Sequence, residues 1–87
     1  MASFEIKWKP SAIRELRKLS KEVIARIVAA VEELAQDPHP AGARKLSGSR
    51  HTYRIREGSY RVVYDVDATT VVITIVRVAH RREAYRR

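Results

Sequence analysis

Two runs of alternating apolar and basic residues, 53–56 and 60–64, flank the dipeptide Gly58-Ser59. Side chains on a strand point alternately to its two faces, so each run predicts a half-buried β-strand. Glycine and serine between two such runs are typical of a two-residue hairpin turn. The turn therefore fixes the register of the two strands, and the register fixes which side chains share a face.

In the predicted register the two faces of the hairpin differ in their chemistry. Tyr53 opposes Tyr64 on an apolar face, and three arginines gather on the other. They are Arg54, Arg56 and Arg61, with Arg56 directly opposite Arg61. Like charges placed opposite each other destabilise a sheet, whereas guanidinium groups present fork-shaped donors that match phosphate oxygens. A phosphate-binding site and a solvated basic face are both consistent with the cluster.

The positive charge of the chain is concentrated in its second half. The formal net charge is +8, but residues 1–43 hold seven Lys or Arg against six Asp or Glu. Residues 44–87 hold eleven against four. This asymmetry predicts a nearly neutral scaffold and a surface that binds polyanions, with nucleic acid as the commonest large partner. An anionic membrane is the weaker alternative, because no basic amphipathic helix accompanies the arginines.

The length of 87 residues predicts one domain, 1–87. The chain has no cysteine, which excludes disulfides and thiolate metal sites and favours a reducing compartment. No apolar run reaches the roughly 20 residues of a membrane span, and the N-terminus lacks a signal-peptide pattern. We therefore expect a cytoplasmic protein without a membrane partner.

The periodicities predict an α+β domain with a helical hairpin packed on one face of a mostly antiparallel sheet. Alternation in Phe4-Glu5-Ile6-Lys7-Trp8 predicts a first strand that ends at Pro10. Helical spacing from about Ser11, and again after Ser20 as N-cap, predicts two helices. A loop, three strands at 51–56, 60–66 and 70–78 and a short C-terminal helix complete the order β-α-α-β-β-β-α. The third strand of this meander is apolar on both faces and is expected to be central.

The order of elements and three motifs together resemble the RelE/ParE superfamily of bacterial toxin–antitoxin modules. The motifs are Tyr53-Arg54-Ile55-Arg56, Gly58-Ser59-Tyr60-Arg61-Val62-Val63-Tyr64 and Arg77-Val78-Ala79-His80-Arg81-Arg82-Glu83-Ala84-Tyr85. The resemblance covers nearly the whole chain. In this superfamily the RelE-like branch consists of ribosome-dependent messenger RNA endonucleases, and the ParE-like branch inhibits DNA gyrase and generally lacks the nuclease residues. This sequence resembles the RelE-like branch.

The resemblance implies a role for each residue of the candidate site. Arg61, Arg81 and Tyr85 match the functional arginines and tyrosine of the nuclease branch. Arg54 and Arg56 fall where familiar members carry two lysines, so we expect them to bind backbone phosphates. Because arginine releases a proton far less readily than lysine, no proton-transfer role carries over to these two positions.

The same resemblance implies cleavage by the 2′-hydroxyl of the RNA, leaving a 2′,3′-cyclic phosphate and a 5′-hydroxyl. We expect Arg61 and Arg81 at the scissile phosphate. Tyr85 is either the general base, with its phenol pKa lowered by adjacent positive charge, or a platform on which a nucleobase stacks. The general acid is left open between Arg81 and His80. No carboxylate cluster, His-x-x-x-His motif or Gly-rich loop is present, so we expect neither a metal nor a cofactor.

A nuclease of this kind must be restrained, so the resemblance also implies a cognate antitoxin protein. The other implied partners are the ribosome and mRNA, and operator DNA bound by the toxin–antitoxin complex through the antitoxin. Two different functions remain open from the sequence. One is inhibition of DNA gyrase, and the other is binding of nucleic acid by a basic module without catalysis.

Overall fold

The structure, a computed structural model, describes residues 3–84 as a five-stranded sheet with two helices packed on one face. The elements are β1 (Glu5–Trp8), α1 (Pro10–Arg17), α2 (Lys21–Leu34), β2 (Arg44–Lys45), β3 (Thr52–Glu57), β4 (Tyr60–Asp67), β5 (Val72–His80) and α3 (Arg81–Ala84). The predicted α+β class is confirmed, with two helices packed on a largely antiparallel sheet. The short strand β2 is an addition, because it lies in a segment that was expected to be a loop.

The strands lie in the order β1-β5-β4-β3-β2, with β1 parallel to β5 and all other neighbours antiparallel. The central place of β5 agrees with its apolar residues on both faces. This strand begins two residues later than predicted because the preceding turn is longer. The carboxylate of Asp67 accepts from the backbone N–H groups of Thr69 and Thr70 at 3.0 and 3.1 Å, which extends the turn to Val71.

Local sequence explains where the two long helices start. Proline at the first position of α1 has the backbone angle of a helix and needs no hydrogen-bond acceptor for its nitrogen. Ser20 caps α2, because its hydroxyl accepts from the backbone N–H of Val23 at 3.3 Å. Within residues 3–84, no helix has the length and apolar character that crossing a membrane requires.

The core lies between the helices and one face of the sheet. Ile27, Val31 and Leu34 of α2 and Ala12 of α1 are fully or almost fully buried against the sheet. The strands contribute Ile55, Val62, Tyr64, Val66, Ile73, Ile75 and Val78. Because side chains alternate along a strand, the residues between these core residues lie on the sheet face that the helices do not cover.

Tyr64 ties the segment after α2 to the centre of the sheet. Its side chain is completely buried, and its hydroxyl donates to the carbonyl of Pro38 at 2.7 Å. The ring also stacks on Tyr53 with centroids 6.0 Å apart. Burial, with smaller effects of Tyr53 and Asp37, raises the pKa of Tyr64 to about 12. The folded protein therefore favours the neutral phenol.

We expect Tyr64→Phe to lower the free energy of unfolding by about 0.5–1.5 kcal/mol at pH 8, because the hydrogen bond to the partly buried Pro38 carbonyl is lost. Wild-type stability should also fall as pH rises from 10 toward 12, since the unfolded chain ionises first. Tyr64→Phe has no phenol at this position, so the part of this fall in stability that is due to Tyr64 should be absent from the variant. Urea unfolding at pH 8 to 11 measures both effects, with Tyr60→Phe as the matched control. Equal stability at pH 8, or parallel pH curves, would contradict this account of Tyr64.

Candidate functional site

The hairpin of β3 and β4 has the register that its sequence predicts. Arg56 pairs with Arg61, Tyr53 with Tyr64 and Ile55 with Val62 across a turn made by Gly58 and Ser59. Gly58 has φ +60, a conformation that glycine adopts without strain. The three predicted arginines Arg54, Arg56 and Arg61 thus share the sheet face opposite the helices. We call the part of that face formed by β2, β3 and β4 the arginine face.

Arg61 lies on β4, at the side of the arginine face next to β5, and is only 7% exposed. Its neighbours across the sheet are Arg56 on β3 and Ala79 on β5. Directly opposed residues in an antiparallel sheet have Cβ atoms about 4.5–5.5 Å apart, so the side chains of Arg56 and Arg61 leave the sheet close to each other. An arginine held on a central strand has few alternative positions. Arg61 is therefore largely withdrawn from solvent, whereas Arg56 opposite it is exposed.

The short strand β2 adds a fourth arginine that was not predicted. Arg44 pairs with Arg54, and the Nη1 atom of Arg54 donates to the carbonyl of Gly42 at a long 3.5 Å. The sequence around Arg44 is too short to show strand alternation, which needs about four residues. Only the pairing of β2 with β3 reveals that Arg44 belongs to the arginine face.

An irregularity in β5 decides which of its last residues face the arginines. The pairing of β4 with β5 shifts between Val63 and Tyr64, so that Val76 has no partner residue. Such a bulge reverses the alternation of the side chains that follow it. Ala79 is consequently opposite Arg61, while Val78 and His80 fall on the core face.

His80 is therefore placed away from the predicted chemistry. Its ring contacts Tyr60 edge to face with centroids 5.5 Å apart, and its Nδ1 atom accepts from the backbone N–H of Arg82 at 3.3 Å. Both contacts hold the His80 ring in place at the end of β5. His80 packs the end of β5 and does not face Arg61.

Arg81 follows His80 directly and begins α3. Its backbone N–H donates to the carbonyl of Ser59 at 2.7 Å, which fixes the start of α3 at the tip of the hairpin. The opposed pair of Arg56 and Arg61 lies at that same end of the sheet. Arg81 is exposed. Tyr85, the remaining predicted site residue, lies outside the residues that the structure describes.

Glu15 of α1 holds the end of β5 in a way that the sequence did not suggest. Strand β1 ends at Trp8, opposite Ile75, so it gives no partner to the residues that follow. There Glu15 accepts from the backbone N–H of Val78 at 2.8 Å and lies 3.5 Å from the Nε atom of Arg77. The helix layer thus fixes the strand that leads to Arg81.

A groove of about 350 Å³ runs along the outer edge of β3. Three residues of the arginine face line it, namely Arg44, Arg54 and Arg56. Two carboxylates, Glu33 and Glu57, are also part of the lining, and Glu57 lies 3.9 Å from Arg26 of α2. Among residues 3–84 no group of three or more metal-ligating side chains occurs. The groove therefore brings three guanidinium groups and two carboxylates together between α2 and the edge of β3.

Comparison with known proteins gives a consistent picture over the whole chain. Residues 6–85 match the family model described as ParE toxin of type II toxin–antitoxin systems, parDE. Toxin RelG of Mycobacterium tuberculosis is 33% identical over 88 residues, which is 97% of this chain and 98% of RelG. Toxin RelE of the same organism is 31% identical over 77 residues, 87% of this chain and 79% of RelE.

Solved structures show the same fold. The archaeal RelE–RelB complex from Pyrococcus horikoshii OT3 matches with a TM-score of 0.82 and 28% identity, over 91% of this chain and 96% of that one. A double mutant of E. coli toxin RelE in the free state matches with a TM-score of 0.80 and 31% identity, over 98% and 88%. The intact E. coli RelBE toxin–antitoxin complex matches with a TM-score of 0.79 and 28% identity, over 90% and 96%.

Proposed function

The chain belongs to the ParE toxin family of type II toxin–antitoxin systems, and on this premise we propose that it is a ribosome-dependent endonuclease that cleaves mRNA and thereby inhibits translation. The reaction is attack of a 2′-hydroxyl on the adjacent phosphate. It forms a 2′,3′-cyclic phosphate and breaks the bond to the 5′-oxygen of the next nucleotide. No metal or cofactor takes part in the proposed mechanism.

The observation that carries the proposal is the position of Arg61. It is buried on a central strand directly opposite Arg56, and Arg81 begins its helix at the same end of the hairpin. A pentacovalent phosphate carries more negative charge than the ground state. Donors that are fixed before the reaction stabilise that charge without reorganisation, which makes the buried Arg61 suitable for the scissile phosphate. Arg81, whose backbone is fixed at the same end of the hairpin, supplies the second charge.

The remaining steps are assigned to the residues around this pair. Arg54 and Arg56 bind backbone phosphates and hold the RNA in line for attack. Tyr85 accepts the proton of the 2′-hydroxyl, and the leaving 5′-oxygen receives a proton from a donor at the Arg81 end of the site. Arg54 and Arg56 supply positive charge and take no part in proton transfer. The contacts of His80 with Tyr60 favour Arg81 over His80 as the neighbour of the leaving oxygen.

The proposed partners follow from the family and from the charge. The solved E. coli and P. horikoshii relatives are complexes of a toxin with the antitoxin RelB. We expect a cognate antitoxin for this chain as well, with acidic residues that cover the arginine face. Through the antitoxin the complex binds its operator DNA. Action on ribosome-bound mRNA locates the free toxin in the cytoplasm.

Inhibition of DNA gyrase is the alternative function, because the matching family model is named for ParE. A gyrase inhibitor would have the same fold but would not need Arg61, Arg81 and Tyr85 together. Their joint presence favours the nuclease.

Induction of the chain in growing bacteria, followed by primer extension on a translated and an untranslatable copy of one message, tests the proposal. We expect growth arrest with cuts in the translated copy alone. Growth arrest without cuts in either copy would instead support the gyrase inhibitor. Absence of arrest would contradict both toxin functions and leave a binding module.

A further inference from the structure

We propose that His80 is a positioning residue, which holds Arg81 in place by capping the first turn of α3 and does so only while its ring is neutral. This inference rests on the proposed function because it takes Arg81 as a residue of the reaction. It adds a residue that acts through Arg81 and transfers no proton itself.

The helix α3 is a single turn that depends on the residues before it. A helix of four residues has too few hydrogen bonds of its own to be stable alone, and its first backbone N–H groups have no acceptor within it. Two neighbours supply acceptors. The carbonyl of Ser59 accepts from the N–H of Arg81 at 2.7 Å, and Nδ1 of His80 accepts from the N–H of Arg82 at 3.3 Å. His80 thus occupies the N-cap position, where the side chain of asparagine, aspartate or serine usually makes this bond.

Packing against the hairpin orients the His80 ring for this bond. His80 pairs with Tyr60 across β5 and β4, and the two rings meet edge to face with centroids 5.5 Å apart. The ring is partly buried, so it has less freedom than a solvated side chain. The same end of the hairpin carries the opposed pair of Arg56 and Arg61. The cap therefore fixes the start of α3, and with it Arg81, relative to that pair.

The cap requires a neutral ring. A neutral imidazole accepts a hydrogen bond at one nitrogen, whereas an imidazolium donates from both and accepts at neither. The titratable and charged groups around the ring are Glu15 and Lys18 of α1, Tyr60 of β4, Arg77 of β5 and Arg81 and Arg82 of α3. The carboxylate of Glu15 already accepts from the N–H of Val78 and contacts Arg77, so it does not replace Nδ1 as an acceptor. Histidine ordinarily gains its proton between pH 8 and 5, and over this range we expect the cap to be lost.

Two substitutions of His80 separate the cap from the ring contact. His80→Phe keeps a ring against Tyr60 but has no acceptor, whereas His80→Asn loses the ring but has an acceptor oxygen suited to an N-cap. At pH 8 we expect His80→Phe to cleave ribosome-bound mRNA about fivefold more slowly in a single turnover at saturation, the effect typical of a lost N-cap. The concentration for half-maximal rate should change little. His80→Asn should cleave nearly as the wild type does.

Circular dichroism confirms that both variants are folded. A folded His80→Phe protein with the wild-type rate would overturn the proposal. A His80→Asn protein as slow as His80→Phe would overturn it too, because proton transfer by His80 predicts that result and capping does not.

The dependence on pH gives a second readout. The amide of asparagine does not titrate, so the rate of His80→Asn relative to the wild type should rise by up to about fivefold as pH falls from 8 to about 5.5. Every other titrating group is common to both proteins and cancels in this ratio. His51→Asn is the matched control, because it makes the same change at an exposed histidine just before β3, and its ratio should stay constant. A constant ratio for His80→Asn would contradict a cap that needs the neutral ring.

Failure of the cap can be distinguished from failure of the proposed function. Exchange of the Arg82 N–H with water, measured by NMR on the full chain without RNA, should be about fivefold faster in His80→Phe and nearly unchanged in His80→Asn. If exchange follows this pattern but translated mRNA is not cut, the nuclease proposal is wrong and the cap stands. If translated mRNA is cut but His80→Phe matches the wild type in exchange and in rate, the positioning role alone is wrong.

Discussion

Arg61→Ala is expected to slow cleavage of ribosome-bound mRNA by about 10²–10³-fold, the usual effect of removing one prearranged donor from a transition-state site. Arg61 is suited to bind the scissile phosphate because it lies on the central strand β4, between Arg56 and Ala79. Single-turnover cleavage at saturating ribosome concentration is the appropriate measurement. It reports the loss in the transition state separately from any loss of binding.

Two comparisons make the Arg61 result interpretable. Arg61→Lys keeps the charge but loses the fork of donors, so it should recover only part of the rate. Arg17→Ala removes a charge from α1 and should cleave as the wild type does. Because Arg61 is 7% exposed and its truncation removes buried packing, circular dichroism must show that the alanine variant is folded. A folded Arg61→Ala protein with wild-type cleavage would contradict the assignment of Arg61.

Tyr85→Phe is expected to reduce the same single-turnover rate by about 10²-fold or more, the contribution typical of a general base. Phenylalanine keeps the aromatic ring, so stacking on a nucleobase and binding of the ribosomal complex should be retained. The rate at saturation should therefore fall while the concentration for half-maximal rate changes little. This split distinguishes proton transfer from stacking.

Tyr60→Phe is the matched control for this prediction. It makes the same chemical change at a tyrosine whose ring packs on His80 at the end of the core face. We expect that variant to cleave at nearly the wild-type rate. If Tyr85→Phe also cleaves normally while Tyr85→Ala does not, Tyr85 is a stacking residue and another group accepts the proton.

The hairpin could be predicted closely because its information is local. Two alternating runs and a glycine-containing turn determine the register, and the register alone brings Arg56 opposite Arg61. The same holds for the N-cap of α2 at Ser20. Where residues close in sequence determine the geometry, the residue pattern was sufficient to predict it.

The features that were missed depend on contacts between distant segments. Strand β2 exists only because β3 offers an open edge at Tyr53 and Arg54, and two residues show no alternation of their own. The sequence gives no sign of the bulge at Val76 either, because it lies within an uninterrupted apolar run. The bulge nevertheless places His80 on the core face. The contact of Glu15 with Val78 joins residues 63 positions apart. No periodicity signals such a contact.

The most direct test of the central claim uses purified bacterial ribosomes that hold one defined mRNA, with the same RNA free in solution as the comparison. The account predicts that the purified chain cuts the ribosome-bound mRNA much faster than the free RNA. The upstream fragment should end in a 2′,3′-cyclic phosphate, and the downstream fragment should begin with a 5′-hydroxyl. Equal cleavage of free RNA, fragments with a 5′-phosphate, or no cleavage on the ribosome would contradict it.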